Sequence, residues 1–186
     1  MSPEEEARKK NWLNDLTNFI VDANTHTWAA KGSEVNIPQR PGYKELRWPL
    51  PNPETGKIEG AWELRDSYTG YFRAPGMTTI YYKGESTWTM AYGGTGMTEE
   101  KYDITKRTFQ FLKRALMLVN KEMPYRGLPL EEEGYRYEIE VRGNLEDFDG
   151  REKIYEYNEL TFTQIFFGGI VIHRDTNRQP IYPWNR

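Results

Sequence analysis

Residues 62–68 read WELRDSY, and this segment decides the fold class. Its apolar and charged side chains alternate, so every second residue is expected on the same side of a β-strand. One side carries Trp62, Leu64, Asp66 and Tyr68. The preceding stretch, residues 34–60, is broken by five prolines and holds only a short predicted strand at 43–48. The chain therefore changes from helical to strand periodicity at this segment.

Further strands are predicted on both sides of a second helix. Residues 77–83 and 87–92 follow the first segment and are joined by a Gly84-Glu85 turn. Three more strands are predicted at 135–142, 152–158 and 160–173, with Asp149-Gly150 as the turn between two of them. The tail from residue 176 is polar and contains proline, so we expect it to be loosely attached.

Two helices are predicted from capping signals and apolar spacing. Ser2 opens a Ser-x-x-Glu capping box with Pro3 at the first helical position. This helix is expected to weaken over 24–30 and to stop near Gly32. The second is expected to begin near Thr98, after a flexible Gly-Gly-Thr-Gly joint at 93–96, for which an anion cradle is the weaker reading. Its predicted buried stripe comprises Ile104, Thr108, Phe111, Leu112, Ala115 and Val119.

The order of elements favours an α+β fold over a parallel sheet, because strands and helices do not alternate regularly. We predict a curved antiparallel sheet with the two main helices packed on one face. The length of 186 residues fits one domain, predicted at 1–175, followed by the polar tail at 176–186.

Composition excludes several classes of function. The chain has no cysteine, which rules out disulfides and thiolate metal sites. With 25 basic and 28 acidic residues the net charge is -3, which does not favour nucleic acid as a partner. Five basic residues recur along the second helix, and we read them as its solvated face: Lys106, Arg107, Lys113, Arg114 and Lys121. The mean hydropathy of -0.86 and the absence of an apolar run predict a cytoplasmic protein with no membrane partner.

No metal or cofactor site is predicted. Around Gly150, residues Asp147, Asp149 and Glu156 have the spacing of a calcium loop, but Leu145 occupies the first ligand position and cannot bind the ion. The two histidines lie far apart in sequence, and neither has a companion at ligand spacing.

Asp66 is the leading candidate for a functional side chain. It shares its predicted strand face with apolar residues, and burying an unpaired carboxylate would cost several kcal/mol. It therefore needs an arginine, backbone amides or a ligand as a partner, and Arg126 is the arginine we would test first. The alternative is that Asp66 only caps the turn that ends at Gly70.

Aromatic residues make up 15% of the chain, more than a core of this size needs. Several share the predicted core-facing parity: Trp62, Tyr68, Trp88, Tyr92, Tyr135 and Tyr137. Because buried tyrosine hydroxyls need partners, such a group favours a semi-polar cavity for a flat ring, a sugar or an organic cation. An aromatic core without a cavity is the alternative.

Several segments resemble an uncharacterised prokaryotic domain family, catalogued only as a domain of unknown function. They are TWAA at 27–30, RPGYKEL at 40–46, DSY at 66–68, WTMAYGG at 88–94, FLKRAL at 111–116, MPYRG at 123–127, FDGREKI at 148–154 and GGIV at 168–171. The resemblance runs from Leu16 to Ile172, with a proline-rich insertion at 48–60 and a family carboxylate missing after Gly70. Members stand alone or follow a helix-turn-helix module, and the resemblance implies no chemistry.

Three functions remain open from the sequence. The leading hypothesis is a module that binds or senses a small molecule in an aromatic pocket containing Asp66. The second is an enzyme that uses Asp66, with Arg126 or Glu152, for acid–base chemistry. The third is a structural module that forms a homodimer.

Overall fold

The computed structural model describes residues 1–27, 34–35 and 38–186. The elements of regular structure are α1 (Pro3–His26), β1 (Lys44–Trp48), β2 (Trp62–Tyr68), β3 (Gly76–Tyr82), β4 (Glu85–Gly96), α2 (Tyr102–Leu116), β5 (Leu130–Glu132), β6 (Tyr135–Asn144), β7 (Asp147–Glu156), β8 (Glu159–Ile170), β9 (His173–Arg174), β10 (Pro180–Ile181) and a short 3-10 helix (Pro183–Asn185). Eight strands form one open antiparallel sheet in the order β1-β2-β3-β4-β8-β7-β6-β5, and β9 pairs with β10. The predicted α+β class with an antiparallel sheet is confirmed.

Both helices pack on the same face of the sheet, here called the inner face. Under α1, Leu16 and Ile20 belong to one core cluster with Leu64 and other strand residues. Under α2, Phe111 belongs to a second cluster with Tyr137. Strand register places the strand residues of both clusters on the inner face, because directly paired residues point to the same side.

The N-terminal helix begins where the capping signal predicts. The Ser2 hydroxyl oxygen accepts a hydrogen bond from the Glu5 amide at 3.2 Å, and Pro3 occupies the first helical position. The helix ends at His26. The predicted continuation to residue 30, the stop near Gly32 and most of the TWAA segment lie outside the described residues.

The glycine-rich segment at 93–96 is strand, so its prediction as a flexible joint is wrong. It extends β4 and pairs with residues 162–165 of β8. At Gly94 a Cβ would collide with the carbonyl oxygen of Thr163, which explains why glycine allows the two strands to approach here. Helix α2 consequently starts at Tyr102, four residues after the predicted Thr98.

The segment around Gly150 is also strand, so the predicted Asp149-Gly150 turn is wrong. The chain reverses instead between Asn144 and Asp147, and Asp149 lies inside β7 opposite Arg142. A Cβ at Gly150 would collide with the ring of Phe166 on the neighbouring strand. Glycine is therefore required here by packing on the inner face, and turn geometry plays no part.

The C-terminal tail is attached more firmly than expected. Trp184 is buried, and its ring lies 6.3 Å from that of Trp12 on α1 and 4.9 Å from that of Tyr182. Because residues 176–186 are mostly polar, the sequence did not predict that Trp184 packs into the core. No helix in the part of the chain that the structure describes is long and apolar enough to cross a bilayer.

Candidate functional site

A pocket of about 410 Å³ lies between α2 and the inner face; we call it the α2 pocket. Strands β1, β2, β4 and β8 contribute its floor, α2 and Arg126 one wall, and residues 70–74 another. It therefore lies where the sheet is covered by the second helix and not by the first.

One side of the α2 pocket is apolar and aromatic. The loop residues Tyr71 and Phe72 face Phe109 of α2 and Phe162 of β8. The Phe109 ring is perpendicular to its neighbours, with centroid distances of 5.7 Å to Tyr71 and 5.8 Å to Phe162. The Tyr71 ring also stacks on that of Tyr102, with a centroid distance of 5.6 Å, so this side of the pocket is part of a larger aromatic cluster.

Asp66 lies in the floor of the pocket and is almost fully buried. The Thr78 hydroxyl donates to its Oδ1 at 2.7 Å, and the Tyr92 hydroxyl lies 3.0 Å from Oδ1 and 2.9 Å from Oδ2. Burial raises the pKa of Asp66 above its ordinary range, although both hydrogen bonds and the charge of Arg126 act in the opposite direction. The partners of this carboxyl group are thus hydroxyls of the neighbouring strands β3 and β4.

Arg126 forms its ion pair with Glu152, which corrects the expectation that it pairs with Asp66. Its Nη2 lies 2.6 Å from Glu152 Oε1 and its Nε lies 3.1 Å from Oε2, a two-pronged contact between side chains that are 4% and 0% exposed. Tyr137 also donates to Glu152 at 2.6 Å, and Gln164 donates at 2.8 Å. Burial lowers the pKa of Arg126, but the charge and hydrogen bonds of Glu152 outweigh it, so the net direction is upward.

Tyr92 contacts both the Asp66 carboxyl group and Arg126, the ion-pair partner of Glu152. The Arg126 guanidinium carbon lies 5.6 Å from the centre of the Tyr92 ring, and the Tyr92 hydroxyl contacts Asp66. Burial, followed by the charge of Asp66, raises the pKa of Tyr92 well above its ordinary range, so its hydroxyl stays a hydrogen-bond donor. This row of polar groups is fixed on the pocket floor.

The rim of the pocket carries charged side chains. Lys44 lies 3.1 Å from Glu34, and the Tyr68 hydroxyl donates to Glu34 at 3.0 Å. Burial raises the pKa of Glu34, but the contacts with Lys44 and Tyr68 outweigh it and the net direction is downward. From α2, Lys106 and Lys113 also line the pocket.

The structure divides the seven predicted site residues into two groups. Four of them line the α2 pocket: Asp66, Tyr68, Tyr92 and Arg126. Tyr137 lies behind the floor and holds Glu152 in place. Trp62 packs against Trp12 under α1, and the Trp88 indole donates to the Leu145 carbonyl at 3.0 Å.

Strand parity explains both the successes and the misplacements. All seven were chosen for the inner face or as its partner, and parity does identify that face. Parity does not show which of the two helices covers a given residue of that face. Trp62 and Trp88 are on the correct face but beneath α1.

Sequence reasoning missed several lining residues, and some had a detectable signal. Gln164 alternates with Phe162 and Phe166 on β8, so an amide at an inner-face position predicted a polar partner nearby. The sequence pattern assigns Lys106 and Lys113 to a solvated helix face. The loop residues Tyr71 and Phe72 carried no periodic signal at all.

Comparison with known proteins identifies the family of the chain. A family model described as a domain of unknown function (DUF5680) matches residues 66–171, more than half of the chain. The matched region begins at Asp66 and contains α2, Arg126, Glu152 and Gln164, whereas α1 and β1 lie before it. No curated protein and no solved structure matches the chain.

Proposed function

The chain belongs to the DUF5680 family, and we propose that it binds a small molecule in the α2 pocket. One observation carries this proposal: aromatic walls meet a floor of buried polar groups in a single concavity of about 410 Å³. Small-molecule sites are typically concavities of about 300–1,000 Å³ with mostly apolar walls and a few fixed polar groups.

The polar groups of the floor are held before any ligand arrives. Tyr92 is fixed by Asp66, and Arg126 is fixed by Glu152, which itself has two further donors. A site whose side chains are already ordered loses less conformational entropy when it binds. The hydrogen-bond pattern therefore supports binding at this place over a merely unfilled gap.

A variant that fills the pocket tests the proposal. Gln110 of α2 lines the pocket and is exposed, so Gln110→Trp should occupy the space while the helix remains folded. Gln179→Trp makes the same change at an exposed position outside the pocket and is the matched control.

The measurements are native mass spectrometry of freshly purified protein and thermal-shift screening against metabolites. We expect a ligand that raises the melting temperature of the unsubstituted protein and of Gln179→Trp but not of Gln110→Trp. A ligand effect that survives in Gln110→Trp, or the absence of any ligand by both methods, would contradict binding in this pocket.

Acid–base catalysis is a second candidate, supported by the raised pKa of Asp66 in a cleft. An enzyme of this kind would turn over the ligand found above, and Asp66→Asn would abolish turnover while binding persisted. Turnover that persists in Asp66→Asn would remove Asp66 from the chemistry.

Self-association is a third candidate, supported by the face of the sheet opposite the helices. Met77, Ala91 and Phe167 lie directly opposite one another across three strands, and Phe167 is 57% exposed. The same row ends in the exposed pair Asp149–Arg142, so an apolar row bordered by one charge of each sign faces away from the helices, a composition compatible with a two-fold contact between identical surfaces. Sedimentation should show a dimer that dissociates in Phe167→Ser, and a monomer at all concentrations would contradict it.

A further inference from the structure

We infer that the ligand of the α2 pocket is an organic anion with a flat ring, typified by an aromatic carboxylate, whose charged group lies near Lys106 and Lys113. This inference rests on the proposed function and names the chemical class that the pocket would select. It is carried by the balance of charges in the pocket and by the shape of its apolar wall.

Most charged groups at the pocket already have partners. The carboxylate of Glu34 is held by Lys44, and Arg126 is held by Glu152. Both oxygens of Asp66 accept hydrogen bonds from hydroxyls. None of these groups needs a ligand to balance its charge.

Two lysines of α2 are the exception. Lys106 and Lys113 line the pocket, and neither has an acidic side chain within ion-pair distance in the described part of the chain. The charge of Lys113 does reach Glu34 and contributes to lowering its pKa, but Lys44 already contacts that carboxylate. Two positive charges thus remain at one wall of the pocket.

The arginines of α2 have acidic partners. Among the residues that the structure describes, the positive charge without a partner on this helix is therefore confined to the side that lines the pocket. Arg107 lies 3.0 Å from Glu156, and Arg114 lies 3.0 Å from Glu132. Each arginine follows its lysine in the sequence and so projects about 100° further around the helix. The basic residues of α2 are therefore neutralised on the flank and left without a counter-charge at the pocket.

The aromatic lining of the pocket favours a ligand that contains a flat ring. Tyr71 and Phe72 line the wall formed by residues 70–74, and Phe109 lies between Lys106 and Lys113 on the face of α2 that lines the pocket, so aromatic rings and lysines border the same cavity. An aromatic ring packs well against such edges and faces. An organic cation is disfavoured because Asp66 is occupied and both lysines would repel it, and a neutral sugar would leave the lysine charges unused.

A matched set of three probes tests the charge preference. The probes 2-naphthoate, 2-naphthamide and 2-naphthylmethylammonium share one ring system and differ in charge. We expect isothermal titration to show that 2-naphthoate binds about tenfold more tightly than the amide, with a preference that falls as salt is added. The ammonium compound should bind most weakly.

Lysine variants locate the charge. Lys106→Gln and Lys113→Gln should each weaken 2-naphthoate by roughly two- to fivefold and leave 2-naphthamide unchanged. The control Lys121→Gln removes the same charge from an exposed position that does not line the pocket, and should change neither. In the double variant, acid and amide should bind equally well.

The outcomes separate this inference from the proposed function. Equal binding of acid and amide, no binding of any probe, or no effect of the lysine variants would overturn the anion assignment. If native mass spectrometry instead finds a neutral or cationic ligand that Gln110→Trp excludes, the pocket binds a small molecule and only its class is wrong. If no ligand of any charge loses binding in Gln110→Trp, both the anion assignment and the proposed function are wrong.

Discussion

The two halves of the inner face are made by the same sheet but bury different chemistry. Under α1, Trp12, Leu16 and Ile20 meet an almost entirely apolar strand surface that includes Leu64 and Ile80. Under α2, the buried set also contains four polar or charged residues, and the half-buried Tyr92 contacts the first of them: Asp66, Arg126, Glu152 and Gln164. One sheet thus supports a mainly apolar core and a polar pocket side by side.

The two halves differ in what their buried groups contribute to stability. A buried ion pair costs desolvation that its attraction only partly offsets, and well-packed apolar residues can replace it without loss of stability. The half under α1 shows that this sheet and an amphipathic helix can pack without such groups. The polar floor under α2 is therefore the part of the inner face that is consistent with the proposed binding of a small molecule.

The largest effect is expected from breaking the ion pair of the polar half. Arg126→Met leaves Glu152 buried with its hydroxyl and amide donors only, and should lower the free energy of unfolding by about 4 kcal/mol. Chemical denaturation measures this. Arg126→Met combined with Glu152→Met should be less destabilised than Arg126→Met alone, and a loss below about 1 kcal/mol in the single variant would contradict a strongly coupled pair.

A slightly smaller effect is expected from a cavity in the apolar half under α1. Leu16 is completely buried, so Leu16→Ala should lower the free energy of unfolding by about 3 kcal/mol. Under conditions where the variant is still folded, its affinity for 2-naphthoate should equal that of the unsubstituted protein. A large loss of affinity would show that the halves are not independent.

The next effect depends on pH and concerns Asp66. Burial raises its folded-state pKa above the ordinary value of 3.8, so the folded protein holds this proton more tightly than the unfolded chain. The resulting stability is fully present below the ordinary pKa and is lost as the pH rises through the folded-state pKa. The stability of the unsubstituted protein relative to Asp66→Asn should therefore fall with rising pH.

Denaturation of both proteins between about pH 3 and pH 8 measures this difference. Subtracting the two curves removes the other titrating groups, which both proteins share. A difference that grows with pH would mean that Asp66 is held as a carboxylate and would reverse the assignment.

The smallest effect is expected on the flank of α2. The Arg114–Glu132 pair is about half exposed on both sides, so Arg114→Gln should cost no more than about 0.5 kcal/mol. Binding of 2-naphthoate should not change, in contrast to Lys113→Gln one position earlier. A comparable loss of affinity in both variants would point to a general attraction by the helix and away from a defined pocket.

Local signals were enough to predict the main elements. The start of α1 follows from Ser2 and Pro3, whose effects lie within one turn, and the inner face of β2 follows from strict alternation. These features depend on neighbours in the sequence. The capping and alternation rules therefore apply without knowledge of the rest of the fold.

Features that depend on distant partners were predicted less well. The segment 93–96 looks like a joint until β8 supplies its pairing partner, and Gly150 looks like a turn until Phe166 is placed above it. Arg126 was expected beside Asp66, but its nearest carboxylate belongs to β7, 26 residues away. Each of these features depends on how distant segments pair in the sheet, and no single segment determines that pairing.

The Glu152 carboxylate joins the loop after α2 to β6 and β8, through Arg126, Tyr137 and Gln164. Arg126 also lines the pocket. A ligand that displaces its guanidinium would therefore disturb Glu152 and, through it, the strands β6, β7 and β8. Amide hydrogen exchange should then slow or quicken in β6, β7 and β8 together, while α1 keeps its own rate. Exchange in these three neighbouring strands would thus report whether the pocket is occupied.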